Sequence, residues 1–199
     1  EVDGASHAYT VAGCWVLLGS SLKSLSRKLG KSGRAVLDCT GFDGRAVCGS
    51  FWLKVFREQH PDRVGQVRQK SQRELYRFGG GTGVAVTMVD LTVTLGETEV
   101  VESVDVVSGS LPCLLGRMFG SAHRLWCGIR EGEVWQRRGA TDFALVGRNQ
   151  SEGLMTLSLT GELEAAEFPL CEHVGTDESA TGLHTTCGTA RESEGHVEM

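Results

Sequence analysis

An aspartate closes the apolar run Ala35-Val36-Leu37-Asp38 and opens into the loop Cys39-Thr40-Gly41. A carboxylate delivered by a strand into a glycine-containing loop can act as a general base, or it can simply brace an Asx turn. Asp43, in the same loop, reads as a solvated turn residue or as a neighbour facing substrate. Further on, Gly79-Gly80-Gly81-Thr82-Gly83 sets four glycines in five positions between β-prone segments, which marks a mobile hairpin tip. As a phosphate loop it lacks a following Lys-Ser/Thr and leads into a strand rather than a helix. Cys171, His173, His184 and Cys187 are zinc-ligand types, but their spacing is not that of a finger or knuckle and little apolar sequence supports them. No metal and no other cofactor is expected. No Ser/His/Asp set with nucleophile-elbow spacing is present.

The elements that must position these residues are mostly strands. Residues 10–19 form a short apolar run bounded by glycine and read as a strand. Ser20 or Ser21 caps a helix with Leu22, Leu25 and Leu29 on one face, Gly30 as its stop, and Lys23, Arg27 and Lys28 pointing outward. Residues 34–38 read as the strand that carries Asp38. Ser50 caps a second short helix over residues 51–58, and the polar stretch 59–74 reads as a loop or a solvated helical turn. Residues 84–95 and 99–107 are rich in Val and Thr and flank Gly96-Glu97, a second hairpin. Residues 111–115, 125–129, 133–136, 143–146 and 154–159 are further strands at short spacing, the last an edge or inter-subunit strand. The fold class is all-β with short helices, a small barrel or sandwich.

Composition agrees. The 199 residues are 40% hydrophobic and 23% charged, close to ordinary globular usage, and 27 glycines against 3 prolines suit tight turns better than a helical bundle. No apolar run approaches the ~20 residues of a membrane span. Residues 1–150 carry 19 basic and 15 acidic side chains, whereas residues 151–199 carry 1 and 10, so a mildly basic body precedes an acidic end. The body has no Lys/Arg stripe interleaved with aromatics, so no direct nucleic-acid binding is expected. The end, residues 161–199, reads as a disordered linker or tail. Seven scattered cysteines, four of them (Cys14, Cys48, Cys113 and Cys127) in apolar strings, favour reduced thiols and an intracellular, cytoplasmic protein.

Taken in order, the aspartate, the glycine hairpin and Leu114-Leu115-Gly116-Arg117 resemble a retropepsin-like aspartic protease, of the kind encoded by retroviruses and long-terminal-repeat retrotransposons. The resemblance covers about residues 34–129. Ala35-Val36-Leu37-Asp38 matches the strand entering the family's catalytic loop, and Val47-Cys48-Gly49 with Trp52-Leu53 resembles the segment after it. Residues 78–83 fall where the family has its flap, residues 95–107 resemble the hairpin that follows, and Leu111-Pro112-Cys113-Leu114-Leu115-Gly116-Arg117 matches its hydrophobic-hydrophobic-glycine strand.

The resemblance implies a closed acid-protease barrel with one lobe per chain, over residues 34–160, preceded by an extension over 1–33. It implies an aspartic endopeptidase that cleaves a peptide or polyprotein substrate as a homodimer. Asp38, Thr40 and Gly41 would form the catalytic loop, and Phe78, Gly79, Gly80, Gly81 and Thr82 the flap over the substrate. The family motif is Asp-Thr/Ser-Gly, whereas this chain reads Asp38-Cys39-Thr40-Gly41, one residue longer. Either Cys39 takes the place of the family hydroxyl with a weak S–H donor, or Thr40 reaches it from a bulged loop. The alternative function is a catalytically degenerate fold serving as a dimerisation or peptide-binding module.

Overall fold

The computed structural model describes residues 5–11, 22–38, 42–78, 81–128, 132–148 and 154–161, with residues 5–11 and 81 as backbone alone. Two compact units divide the chain, Glu1–Glu164 and Ala165–Met199, and every described residue belongs to the first. The acidic end, its Cys and His residues, and residues 12–19 therefore lie outside the described residues.

The protein is mostly β. Eleven strands are described: β1 (Ala5–Val11), β2 (Arg34–Asp38), β3 (Ala46–Gly49), β4 (Val64–Phe78), β5 (Gly81–Leu95), β6 (Thr98–Val107), β7 (Leu114–Gly116), β8 (Leu125–Gly128), β9 (Glu133–Arg137), β10 (Phe143–Arg148) and β11 (Thr156–Ser158). Three helices join them: α1 (Leu22–Lys31), α2 (Ser50–Gln59) and α3 (Arg117–Ala122). Eight strands form one sheet in the order β1-β4-β5-β6-β3-β7-β2-β11, and β10-β9-β8 form a second. Among the described residues no pairing joins β1 to β11, so the large sheet is open.

The order of the large sheet decides where Asp38 goes. β2 and β3 are consecutive in sequence, yet β7 lies between them, parallel to β2 and antiparallel to β3. The segment that links β2 to β3 must therefore pass across the end of β7. On its other side β2 is covered by β11, with Leu157 and Leu159 fully buried. β11 is thus the edge strand expected of residues 154–159, paired within its own chain.

Local signals explain most of these elements, and three depart from expectation. β4 replaces the loop expected over residues 59–74, after a 3-10 turn at Pro61–Arg63. Most of its side chains are exposed, so no apolar alternation betrays it; pairing with β5 and the parallel β1 imposes the strand. Ser50 does not cap α2. The helix starts at Ser50, and its hydroxyl instead accepts the Gly109 amide at 3.3 Å. Gly30 does not end α1 either; a Cβ there would stand 3.1 Å from Val55, so the glycine lets α1 approach α2 closely. Leu25 and Leu29 of α1 join Trp52, Leu53 and Phe56 of α2 in the same core as Val36, Leu114 and Leu157.

Candidate functional site

Asp38 is the last residue of β2 and the first of that strand to emerge from full burial. Its backbone lies opposite Gly116 in the parallel register, where Val36 pairs with Leu114 and Leu37 with Leu115. The returning loop is tied across the end of β7 by two hydrogen bonds. Gly116 N donates to Arg45 O and Arg117 N to Phe42 O, each at 2.8 Å. A Cβ at Gly116 would lie 2.6 Å from the Phe42 carbonyl oxygen, so only glycine permits this crossing. The Leu-Leu-Gly sequence is thus the seat on which the Asp38 loop rests.

Three further contacts fix that loop. The Phe42 ring is buried, and it packs against the buried Tyr76 ring at 6.0 Å. The Arg45 guanidinium binds Glu102 of β6 with both arms, at 2.7 and 2.8 Å. Glu102 is fully buried, and His123, just beyond α3, reaches it at 3.3 Å. Hydrogen bonding to Glu102 raises the pKa of Arg45, against a smaller opposing effect of burial. Arg117 also meets Asp43 at 3.1 Å, an exposed pair worth about 0–1 kcal/mol. Asp43 is therefore paired within the loop region.

The glycine hairpin is built from β4 and β5. Phe78 pairs with Gly81 and Arg77 with Thr82. The rings of Phe78 and Tyr76 stack at 6.3 Å, and Tyr76 in turn touches Phe42. A row of three aromatic rings therefore joins the base of the hairpin to the anchor of the Asp38 loop. Below that row, Tyr76 Oη donates to Asp105 at 2.6 Å, and Lys70 Nζ bridges Asp105 at 2.5 Å and Glu74 at 3.0 Å. Burial lifts the Asp105 pKa, opposed by Lys70 and Tyr76; at Glu74 the hydrogen bonds, Lys70 first, outweigh burial and lower it.

Of the site residues read from the sequence, Asp38, Phe78, Gly81 and Thr82 are placed as described. Thr40, Gly41, Gly79 and Gly80 lie outside the described residues, as does Cys39. Sequence reading missed Phe42, Tyr76, Arg45 and Glu102, because each acts through a partner far along the chain. Among the described residues no group of His, Cys, Asp and Glu could hold a metal ion, and no helix is long and apolar enough to cross a membrane. Comparison of the chain with protein-family models, with curated proteins and with solved structures finds no match in any of the three.

Proposed function

We propose that this chain is an aspartic endopeptidase of retropepsin type, in which Asp38 of two copies activates water at the axis of a homodimer. The observation that carries this reading is the seating of the Asp38 loop over Gly116, with the strand that bears Asp38 held between β7 and β11. Hydrolysis of a peptide bond needs a base to take a proton from water and an acid to protonate the carbonyl oxygen. Two carboxylates about 3 Å apart do both, because they cannot both ionise and so share one proton. The proposed site has one such aspartate per chain, so two copies meet about a two-fold axis. The glycine tip of the β4–β5 hairpin covers an extended peptide and excludes water, and the Phe78–Tyr76–Phe42 row supports it from beneath.

The purified chain should cut peptides with an acidic-to-neutral optimum and be inhibited by a statine of the pepstatin type. Activity that survives Asp38→Asn overturns the assignment, and a strict monomer at high micromolar concentration argues against it. One observation favours the second reading, a degenerate fold that binds or dimerises without cleaving: Asp38-Cys39-Thr40-Gly41 is a residue longer than the family motif. Dimers whose Asp38 carboxylates stand more than about 6 Å apart cannot share a proton and would establish it.

A further inference from the structure

We infer that the outer face of α1 and α2 binds the phosphate backbone of nucleic acid, through Lys23, Arg27, Lys31 and Lys54. The sequence points Lys23 and Arg27 outward from one helix but does not show that α2 brings Lys54 beside them. Lys23, Arg27 and Lys31 recur at every fourth residue of α1, so they form one stripe with about 6 Å between neighbours along the helix. α1 packs on α2, and Arg27, Lys31, Phe51 and Lys54 line one shallow cavity of about 320 Å³. All four cations are exposed, α1 carries no acidic residue, and Glu58 is the one carboxylate in the cavity lining. Residues 1–150, which hold this face, carry 19 basic and 15 acidic side chains, so the cations of α1 and α2 belong to a mildly basic body.

The chemistry of the face selects among anionic partners. The one aromatic ring there, Phe51, is half-buried and already covered, with Lys23 Nζ 5.4 Å and the Arg27 guanidinium 5.7 Å from its centroid. A protein partner would need an apolar anchor at the centre of its interface, and a bilayer would need apolar side chains to insert. Leu22 is the one large apolar side chain exposed on α1 and α2, too little for either, so the contact is mainly charge. A regular row of cations without an anchor suits a regular row of phosphates, and it reads no base sequence. The inference is independent of the protease reading, because Asp38 takes no part in it.

The test is a titration of the full chain with labelled single-stranded RNA and duplex DNA of about 20 nucleotides, over a range of salt. Binding should be independent of sequence, with Kd about 10–100 µM at 0.15 M salt and on the order of 30-fold tighter at 50 mM. Replacing Lys23, Arg27, Lys31 and Lys54 together by Gln should abolish it, whereas Asp38→Asn should leave it unchanged. Arg73→Gln with Arg77→Gln removes two exposed cations from β4 and serves as the control for Lys23→Gln with Arg27→Gln, which removes two from α1. No binding at 50 mM salt overturns the inference. So does an equal loss in the β4 control, or tighter binding to phosphatidylserine vesicles or polyglutamate than to either nucleic acid.

Discussion

Gly116 lies directly opposite Asp38 across β7 and β2, and the carbonyl of Phe42 passes within 2.6 Å of where its Cβ would be. Gly116→Ala must therefore push the Asp38 loop off its seat or break the bonds from Gly116 N and Arg117 N. The expected cost is about 2–4 kcal/mol, in the range of overpacking with lost backbone hydrogen bonds. Thermal unfolding should show it, and the proposed peptidase activity should fall with it. A variant as stable as the parent would mean that the loop does not rest on β7.

Lys70 and Asp105 yield a prediction with a definite pH sign. Lys70→Met leaves the buried Asp105 carboxylate with the hydrogen bond from Tyr76, so at pH 7 the loss should be about 2–3 kcal/mol, at the low end for a buried pair because that donor remains and Lys70 is not fully buried. Burial already raises the Asp105 pKa, and loss of Lys70 raises it further. A carboxyl whose folded pKa exceeds its unfolded value costs stability as pH rises from the unfolded value through the folded one, and costs nothing below both. The difference between parent and variant should hence shrink as pH falls from 7 towards 4. Denaturant melts at the two pH values check it, and a deficit that grows on acidification would refute the network.

How far the sequence led follows from where each signal resides. Ala35-Val36-Leu37-Asp38 and the Val/Thr-rich hairpin of β5 and β6 were legible, because apolar runs and Gly96-Glu97 are local patterns. β4 was not, since its exposed polar side chains carry no alternation and its pairing partners lie elsewhere in the chain. The Arg45–Glu102 pair joins residues 57 apart, and nothing in either segment announces the other. Phe42 stands between Gly41 and Asp43 with no apolar neighbour to mark it, yet it is the buried end of the Asp38 loop. A sheet in which β7 enters between β2 and β3 brings these together, and that insertion is a property of topology rather than of composition.

Thiol chemistry offers a prediction that needs no activity. Burial drives the pKa of Cys48 and of Cys113 far above the ordinary thiol range, so neither forms a thiolate at neutral pH. Cys127 is only part-buried. Among the described cysteines, iodoacetamide should label Cys127 first and leave Cys48 and Cys113 unmodified until the protein unfolds. Site-resolved mass spectrometry reads the order. Early labelling of Cys48 would show that β3 is open to solvent.

The last prediction concerns β11, the strand that completes the Asp38 strand from its far side. Leu37 N donates to Met155 O at 2.9 Å, Leu159 N to Gly33 O at 2.8 Å, and Thr94 N to Leu159 O at 2.9 Å. Leu157 and Leu159 are fully buried, and Thr156 accepts a hydrogen bond from the buried Arg34 at 3.3 Å. Ending the chain at residue 153 removes two buried leucines worth about 1.5–3 kcal/mol each and exposes the backbone of β2. The leucines alone then cost about 3–6 kcal/mol, which reaches the low end of an ordinary domain's whole stability of about 5–15 kcal/mol, before the lost β2 pairing is counted. The truncated chain should lose its cooperative melt and, with β2 unsupported, any dimer and any peptidase activity that depends on Asp38. A shortened chain that still melts cooperatively near the parent temperature would mean that β2 holds Asp38 by β7 alone.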